Sequence, residues 1–354
     1  MQTVNTPSRH DEHVLVELAR GGDENAYREL IETHRSELYA HCYRMLASAD
    51  DADDAVQDAL LRAWRGLANF ESRSSVRTWL FKIATNAALD VSQRRSRRAL
   101  PVSFGTGANR GEEVGDPVYE ISWLGPYPTT LEDTPSTRAT PDVRYERRES
   151  LELAFIEALQ LLPANQRAVL LLRDVLGHSA IETAELLDTS VPAVNSSLQR
   201  ARATIDPQIP RESQRSTLSS LGDEALRSLA SKYCDAIETG NTAALLSLLT
   251  EDVTWSMPPV ATWFQGRARV GEFYERDIAS GRWAHLVTSA NGQLAIAGYV
   301  YDDERHCFAA EVIDVVTLEG DLISSVVGFV TTKRPGFEVE RLFPRFGLPL
   351  ELPG

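Results

Sequence analysis

The stretch Ser179–Ile205, SAIETAELLDTSVPAVNSSLQRARATI, reads as two short helices joined by a tight turn. Ser179, with Glu182 three residues on, forms a capping-box pattern for the first helix. Leu187-Asp188-Thr189-Ser190 turns the chain. Ser190 then caps the second helix, and Pro192 falls in its first turn, where a missing N–H costs nothing. Val191, Val194, Leu198, Ala201 and Ile205 share one stripe. The opposite face carries Asn195, Ser196, Gln199 and Arg202, with Arg200 at its edge. This is a helix-turn-helix layout. Asn and Gln side chains can bond adenine in bidentate fashion, and Arg reads guanine or clamps phosphate. Taken alone, the same face also fits an ordinary solvated helix surface.

The bulk composition limits what surrounds this motif. A chain of 354 residues with 43% hydrophobic and 25% charged residues is an ordinary multidomain globular protein. Its formal charge of −15, from 51 acidic and 36 basic residues, argues against a protein that coats DNA without specificity. Averaging over domains hides local basic surfaces. No stretch approaches a membrane span, and the N-terminus lacks the basic-then-apolar layout of a signal peptide, so a cytoplasmic location without membrane partners is expected. The scattered Cys42, Cys234 and Cys307 fit reduced core thiols. No metal and no cofactor are expected.

Outward from the motif, the chain divides into five stretches. Residues 11–98 carry apolar residues at helical spacing, with Asp23 and Ser48 as helix caps and Ala55, Leu61 and Trp64, or their neighbours, as the buried stripe of the helix after Ser48. Residues 99–145 are rich in Pro, Gly and acid and read as a linker, interrupted by the apolar island WLGPYP at Trp123. Helices resume over 146–206. A polar tether covers 207–220. From Leu221 to residue 354 a helix is followed by alternating segments, with a hairpin signal at Glu319-Gly320-Asp321, which reads as α+β. The fold class is therefore two all-α helical domains followed by an α+β domain.

A second basic surface lies in SRSSVRTWLFKIATNAALDVSQRRSRR, where arginines and Lys82 alternate with Trp79 and Phe81. Basic residues interleaved with aromatics suit melted nucleic acid, whose bases stack on rings. Trp79 also fits the buried arc beside Leu80 and Ile83.

Together these stretches resemble a family. DDADDAVQDALLRAWRGLANFESRSSVRTWLFKIATNAALDVSQRR resembles the sigma-two domain of extracytoplasmic-function sigma factors of bacterial RNA polymerase. LPANQRAVLLLRDVLGHSAIETAELLDTSVPAVNSSLQRARATI is similar to their helix-turn-helix sigma-four domain. EDVTWSMPPVATWFQGRARVGEFY resembles the SnoaL-like cone-shaped fold, which is fused to the sigma domains in some members.

The resemblance implies roles. The loop and helix matching Asn69–Asn86 would melt and read the promoter minus-ten element, with Arg73, Ser74, Ser75, Arg77, Lys82 and Asn86 as candidates. The helix from Ser190 would read the minus-thirty-five element, through Ser190, Pro192, Asn195, Ser196, Gln199, Arg200 and Arg202. Asn195 stands where a lysine or arginine is frequent. The helix matching Asp51–Trp64 would bind the beta-prime clamp helices of core RNA polymerase through Asp54, Gln57, Asp58, Leu61 and Arg62; the beta flap is the other polymerase contact. The acidic linker, with Glu112, Glu113, Asp116, Glu132 and Asp133, would thread near the RNA path. An anti-sigma protein and a small apolar ligand are further candidate partners.

In the terminal domain Trp255, Met257, Trp263, Phe273, Tyr299 and Phe308 are candidates to line a ligand pocket, although large aromatics more often fill a core. His285, His306, Asp277 and Asp314 offer acid–base groups, but no spacing pairs them, and no catalysis is expected. Two other readings stay open: a stand-alone helix-turn-helix repressor, and an enzyme acting through the terminal domain.

Overall fold

The computed structural model describes residues 9–70, 74–103, 107–129, 149–331 and 338–354. These form two compact units.

The first unit is helical and comprises the described residues up to Arg95 together with 161–207. It opens with α1 (Arg9–Arg20), α2 (Glu24–Leu46), α3 (Ala49–Gly66) and α4 (Val76–Arg94). Asp23 caps α2 by accepting from the N–H groups of Asn25 and Ala26, and Ser48 caps α3. The buried stripe of α3 is Ala52, Ala55, Val56, Ala59 and Ala63. Leu61, expected inside, is 57% exposed, and Trp64 is only half-buried. An alanine stripe needs little space, so the helix seats on its small side and turns its larger residues outward.

After α5 (Leu153–Gln160), which belongs to the second unit, come α6 (Ala164–Leu170), a π-helical turn (Leu171–Val175), α7 (Ala180–Leu186) and α8 (Val191–Ile205). The capping box at Ser179–Glu182 is present in full. α8 buries Val194, Leu198, Ala201 and Ile205. Arg167 of α6 is buried, and its guanidinium donates to the carbonyls of Met45 and Leu162. The Phe81 ring of α4 lies against two imidazoles, His41 at 5.3 Å and His178 at 6.4 Å.

The second unit holds 96–103, 107–129, 149–160 and the described residues from 208 onward. Its helices include α5, α9 (Gln214–Leu221), α10 (Asp223–Glu238), α11 (Thr242–Ser247), α12 (Arg267–Asp277) and α13 (Val339–Arg345). Its strands are β1 (Leu249–Ser256), β2 (Trp263–Gln265), β3 (Trp283–Ala290), β4 (Gln293–Asp302), β5 (Cys307–Glu319), β6 (Leu322–Val330) and β7 (Glu351–Pro353). They make one seven-stranded sheet of order β2-β1-β6-β5-β4-β3, with β7 on β5. The β5–β6 hairpin turns at Gly320, whose φ of 60° suits a residue without a side chain.

Both faces of the sheet are covered. α10 and α12 pack Tyr233, Ile237, Phe273 and Tyr274 against Trp255, Phe264, Leu294, Ile296 and Val326 on the inner face. On the other face Ala297, Tyr299, Ile313 and Phe329 are buried, with Phe343 of α13 edge-on to Tyr299 at 5.3 Å.

The compact units cut across the expected stretches. The island at Trp123 is packed, with Trp123 and Leu124 buried. The segment 107–129 bonds along the terminal domain: Ala108 N–H to Trp263 C=O, Val118 N–H to Pro259 C=O, and Gly115 N–H to Thr262 Oγ1. The β3–β4 turn is a clasp. Asn291 exchanges backbone and side-chain bonds with Tyr127 and donates through Nδ2 to Leu151 C=O at 2.8 Å. Gln293 accepts from Leu153 N–H at 2.9 Å. Both side chains are buried.

The expected polar tether also forms structure. Ser213 caps α9, and the Gln214 amide bonds the Leu318 backbone twice, N–H to Oε1 at 2.7 Å and Nε2 to C=O at 2.9 Å. A glutamine side chain reproduces the donor–acceptor pair of a peptide, so it completes the β5 ladder as a strand would. Of the cysteines, Cys42 is buried, but Cys234 and Cys307 are only half-buried.

Candidate nucleic-acid interface

α8 presents its polar face to solvent: Pro192, Asn195, Ser196, Gln199 and Arg200 are exposed. Ser190 accepts from Ala193 N–H, so its hydroxyl holds the start of the helix. Arg200 donates to the Ser196 and Ser197 hydroxyls. Arg202 departs from the expected set. Its guanidinium forks onto Asp174 at 2.6 and 2.8 Å, and that carboxylate is 1% exposed. Arg202 therefore ties α8 to the turn before α7.

On α4 the candidates meet three different fates. Ser74 is exposed, and Ser75 caps the helix through Thr78 N–H. Arg77 pairs with Glu37 at 2.7 Å and lies over the Phe81 ring, 4.7 Å from its centre. Lys82 bonds Asp188 Oδ1 at 2.7 Å and Glu185 C=O at 2.9 Å, both in the helix-turn-helix. Asn86 is half-buried, and Trp79 is half-buried against Phe70. Arg73 lies outside the described residues, as do Glu132 and Asp133. Glu112, Glu113 and Asp116 sit on the segment bonded along the terminal domain.

On α3, Asp54, Gln57 and Leu61 line one exposed face, with Asp58 half-buried beside them. Arg62 bridges Asp58 at 2.6 Å and Asp90 at 2.9 Å. Leu61 and Gln57 border a groove of about 450 Å³ whose walls include Tyr27, Ile31 and Trp64.

The six aromatic and sulfur residues expected to share a pocket do not come together. Trp255 and Phe273 lie in the packed inner core. Trp263 lies against Gly107. Tyr299 is on the opposite face, its hydroxyl donating to Pro349 C=O. Phe308 pairs with Tyr301. Only Met257 stays half-buried on the inner face, 3.7 Å from where a Cβ at Gly328 would stand.

The acid–base candidates are equally dispersed. Asp277 pairs with Arg276, and His306 sits in an exposed turn at the far end of β5 from Asp314. His285 bonds Glu238 at 3.0 Å. Sequence reasoning missed the partner of Asp314, which is Tyr233: its hydroxyl donates to Oδ2 at 2.8 Å. Burial raises the Asp314 carboxyl to about 7 and the Tyr233 hydroxyl well above its ordinary value. It also missed Asp174 and the clasp at Asn291, because partners so far apart in sequence leave no local pattern.

Residues 30–98 match sigma-70 region 2, residues 152–205 sigma-70 region 4, and residues 230–326 the SnoaL-like domain. The chain is 40% identical over 336 residues to the ECF RNA polymerase sigma factor SigG of Mycobacterium tuberculosis, covering 93% of this chain and 85% of that protein. It is 30% identical over 200 residues to the ECF RNA polymerase sigma-E factor of Escherichia coli, covering 56% of this chain and 94% of that one. The crystal structure of the M. tuberculosis extracytoplasmic-function sigma factor SigJ shares its fold, with a TM-score of 0.54 at 20% identity, over 90% of this chain and 98% of that one.

Two helical DNA-binding modules followed by a cone-shaped α+β domain define the class: a sigma-70-type transcription initiation factor. The chain belongs to the extracytoplasmic-function sigma factors, in the form that carries a fused SnoaL-like domain. It functions as an RNA polymerase sigma factor. Among the described residues, no helix is long and apolar enough to cross a membrane.

Proposed function

We propose that this sigma factor works by a two-point promoter grip that core RNA polymerase assembles, and that its SnoaL-like domain modulates the grip without catalysing a reaction. Residues 11–98 and 146–206 act as the two DNA-binding domains. Asn195, Ser196, Gln199 and Arg200 on α8 read or hold the minus-thirty-five element. Ser74, Arg77, Lys82 and Asn86 serve the minus-ten element. The face of α3 at Asp54, Gln57, Asp58 and Leu61 meets the polymerase clamp helices, and the cytoplasm is the site of action. An anti-sigma protein would compete for the same face.

The observation that carries the modulatory reading is the clasp at Asn291 and Gln293. One turn of the terminal domain holds both the linker, through Tyr127, and the start of the region-4 segment, through Leu151 and Leu153. A shift of that turn would release both segments at once.

The test uses run-off transcription with purified core enzyme and the Asn291→Asp variant, which loses the donor to Leu151 while tolerating the left-handed backbone there (φ 56°). The proposal expects output to change while affinity for core enzyme is kept. Unchanged output on every promoter would overturn the modulatory part. Tight operator binding without core enzyme would instead favour a stand-alone repressor.

A further inference from the structure

The turn that forms the clasp is also the only Asn-Gly pair in the sequence, Asn291–Gly292. Ala290 and Gln293 pair across it, which leaves these two residues as a two-residue hairpin turn. Both have positive φ, 56° and 69°, the backbone that such a turn favours and that asparagine and glycine tolerate. Asparagine followed by glycine is chemically the least durable pair in a protein chain. Glycine has no side chain to shield its backbone nitrogen, and that nitrogen can attack the asparagine side chain.

In the closed clasp every group needed for that attack is engaged. Asn291 is 0% exposed. Its Oδ1 accepts from Tyr127 N–H at 2.9 Å, and its Nδ2 donates to Leu151 C=O at 2.8 Å. The Gly292 N–H, the attacking group, donates to Thr129 Oγ1 at 2.9 Å. Gln293, next in the chain, accepts from Leu153 N–H and donates to Val316 C=O and Thr317 Oγ1. An amide held at both its atoms cannot swing its Cγ onto the neighbouring nitrogen, and burial keeps out the water that completes the reaction.

We propose that Asn291–Gly292 is a modification site governed by the clasp: closed, it is protected; open, it deamidates, and the product cannot close again. In the open turn the Gly292 nitrogen gives up its proton and bonds to Asn291 Cγ. The Cγ–Nδ2 bond breaks, and ammonia leaves with that proton, giving a five-membered succinimide. Water then opens the ring. Attack at Cγ leaves aspartate at 291, and attack at the backbone carbonyl leaves isoaspartate. Neither step oxidises or reduces anything. Aspartate has no donor for Leu151 C=O and would bury a charge. Isoaspartate lengthens the backbone of a two-residue turn by one carbon, so the Ala290–Gln293 pair loses its register. Opening of the clasp is thereby recorded as a permanent covalent change. The site depends on the clasp's geometry alone, and its test reads mass and not transcription, so it fails or survives apart from the modulatory reading.

The test ages the purified full chain at mildly alkaline pH and follows conversion by mass spectrometry of the tryptic peptide 283–305, in which Asn291 is the one asparagine. Conversion in the folded wild type is expected to be at least about ten-fold slower than in the same chain unfolded in guanidinium chloride. Gln293→Met removes the acceptor for Leu153 N–H and keeps the Asn-Gly pair. It should raise the folded rate about two- to ten-fold, the loss of a hydrogen bond, and leave the unfolded rate unchanged. Thr129→Val, which takes the acceptor from Gly292 N–H, should do the same. If Gln293→Met fails to fold, Thr129→Val carries the test. In the converted fraction the Tyr127 amide should exchange its hydrogen faster than in the unconverted one. Equal rates in the folded and unfolded wild type overturn the proposal. So do folded rates in both variants equal to wild type, or a converted chain whose Tyr127 amide is as protected as before.

Discussion

The Lys82 ammonium of α4 is bonded to the Asp188 carboxylate in the turn between α7 and α8, at 2.7 Å. The two helical modules proposed to grip DNA are thus joined by a pair in which the basic partner is a candidate DNA contact. Asp188 sits at φ 48°, a backbone state Asp and Asn tolerate better than most residues.

The Asp188→Asn variant keeps that backbone and removes the charge. An exposed pair of this kind is worth about 0–1 kcal/mol, so the variant should bind a single-stranded minus-ten oligonucleotide up to about five-fold more tightly without core enzyme. Fluorescence anisotropy checks this. Equal affinity would mean that Lys82 is not withheld from DNA by Asp188.

On α8 the four exposed polar residues and Arg202 should behave differently. Replacing Asn195 or Gln199 with Ala should cost about 1–3 kcal/mol at one base position. Replacing Arg200 should weaken binding on all promoters and flatten its salt dependence. Arg202→Ala should instead lower stability by roughly 2–4 kcal/mol, because the buried Asp174 carboxylate loses its partner. Melting curves beside promoter-binding titrations separate the two kinds of loss.

His41 makes the helical unit sensitive to acid. Its imidazole is fully buried beside Phe81 and bonded to Thr85, and burial, with Arg44, His178 and Arg77 nearby, pushes its pKa down to about 3. The unfolded side chain titrates near 6.5, so it takes the proton first as pH falls. The contribution is complete above about 6.5 and declines below it, by at most about 1.4 kcal/mol per pH unit. Denaturant unfolding at about pH 7.5 and about pH 5 should show that decline. A His41→Asn variant should be less stable at the higher pH but less pH-dependent.

Asp314 has the opposite slope. Its carboxyl is raised from 3.8 to about 7 by burial, so the unfolded state loses the proton first as pH rises. Stability of the terminal domain should fall between about pH 4 and pH 7 and then level off. Asp314→Asn should therefore melt higher than wild type at about pH 8, with a smaller gap at about pH 5. An equal gap at both would show that the carboxyl titrates normally.

Local signals carried far in this sequence. The capping box at Ser179–Glu182, the cap at Ser190 with Pro192, and the turn at Gly320 each depend on neighbours within a few residues, and all appear in the structure. The pairs that decide the site do not. Arg202 and Asp174 are 28 residues apart, and Lys82 and Asp188 are 106 apart. The aromatic pocket failed on strand parity. Leu294 and Ile296 of β4 join the inner core, so Tyr299 falls on the other face. Composition could not show which face an aromatic takes. On α3 the periodicity was right, and the seam is formed by Ala55 with the small neighbours of Leu61 and Trp64, Ala59 and Ala63.

The clasp also sets an order of events during synthesis. Tyr127 and Leu153 wait for Asn291 and Gln293, which lie 164 and 140 residues later in the chain. At ribosomal speeds of about 5–20 residues per second that delay is roughly 7–30 s. For about the last half of it both helical regions are already translated, while Trp123 and Leu124 lack the turn that anchors their segment. A nascent sigma factor of this design passes through an unclasped interval on the ribosome, and binding to polymerase in that interval would precede any control by the terminal domain.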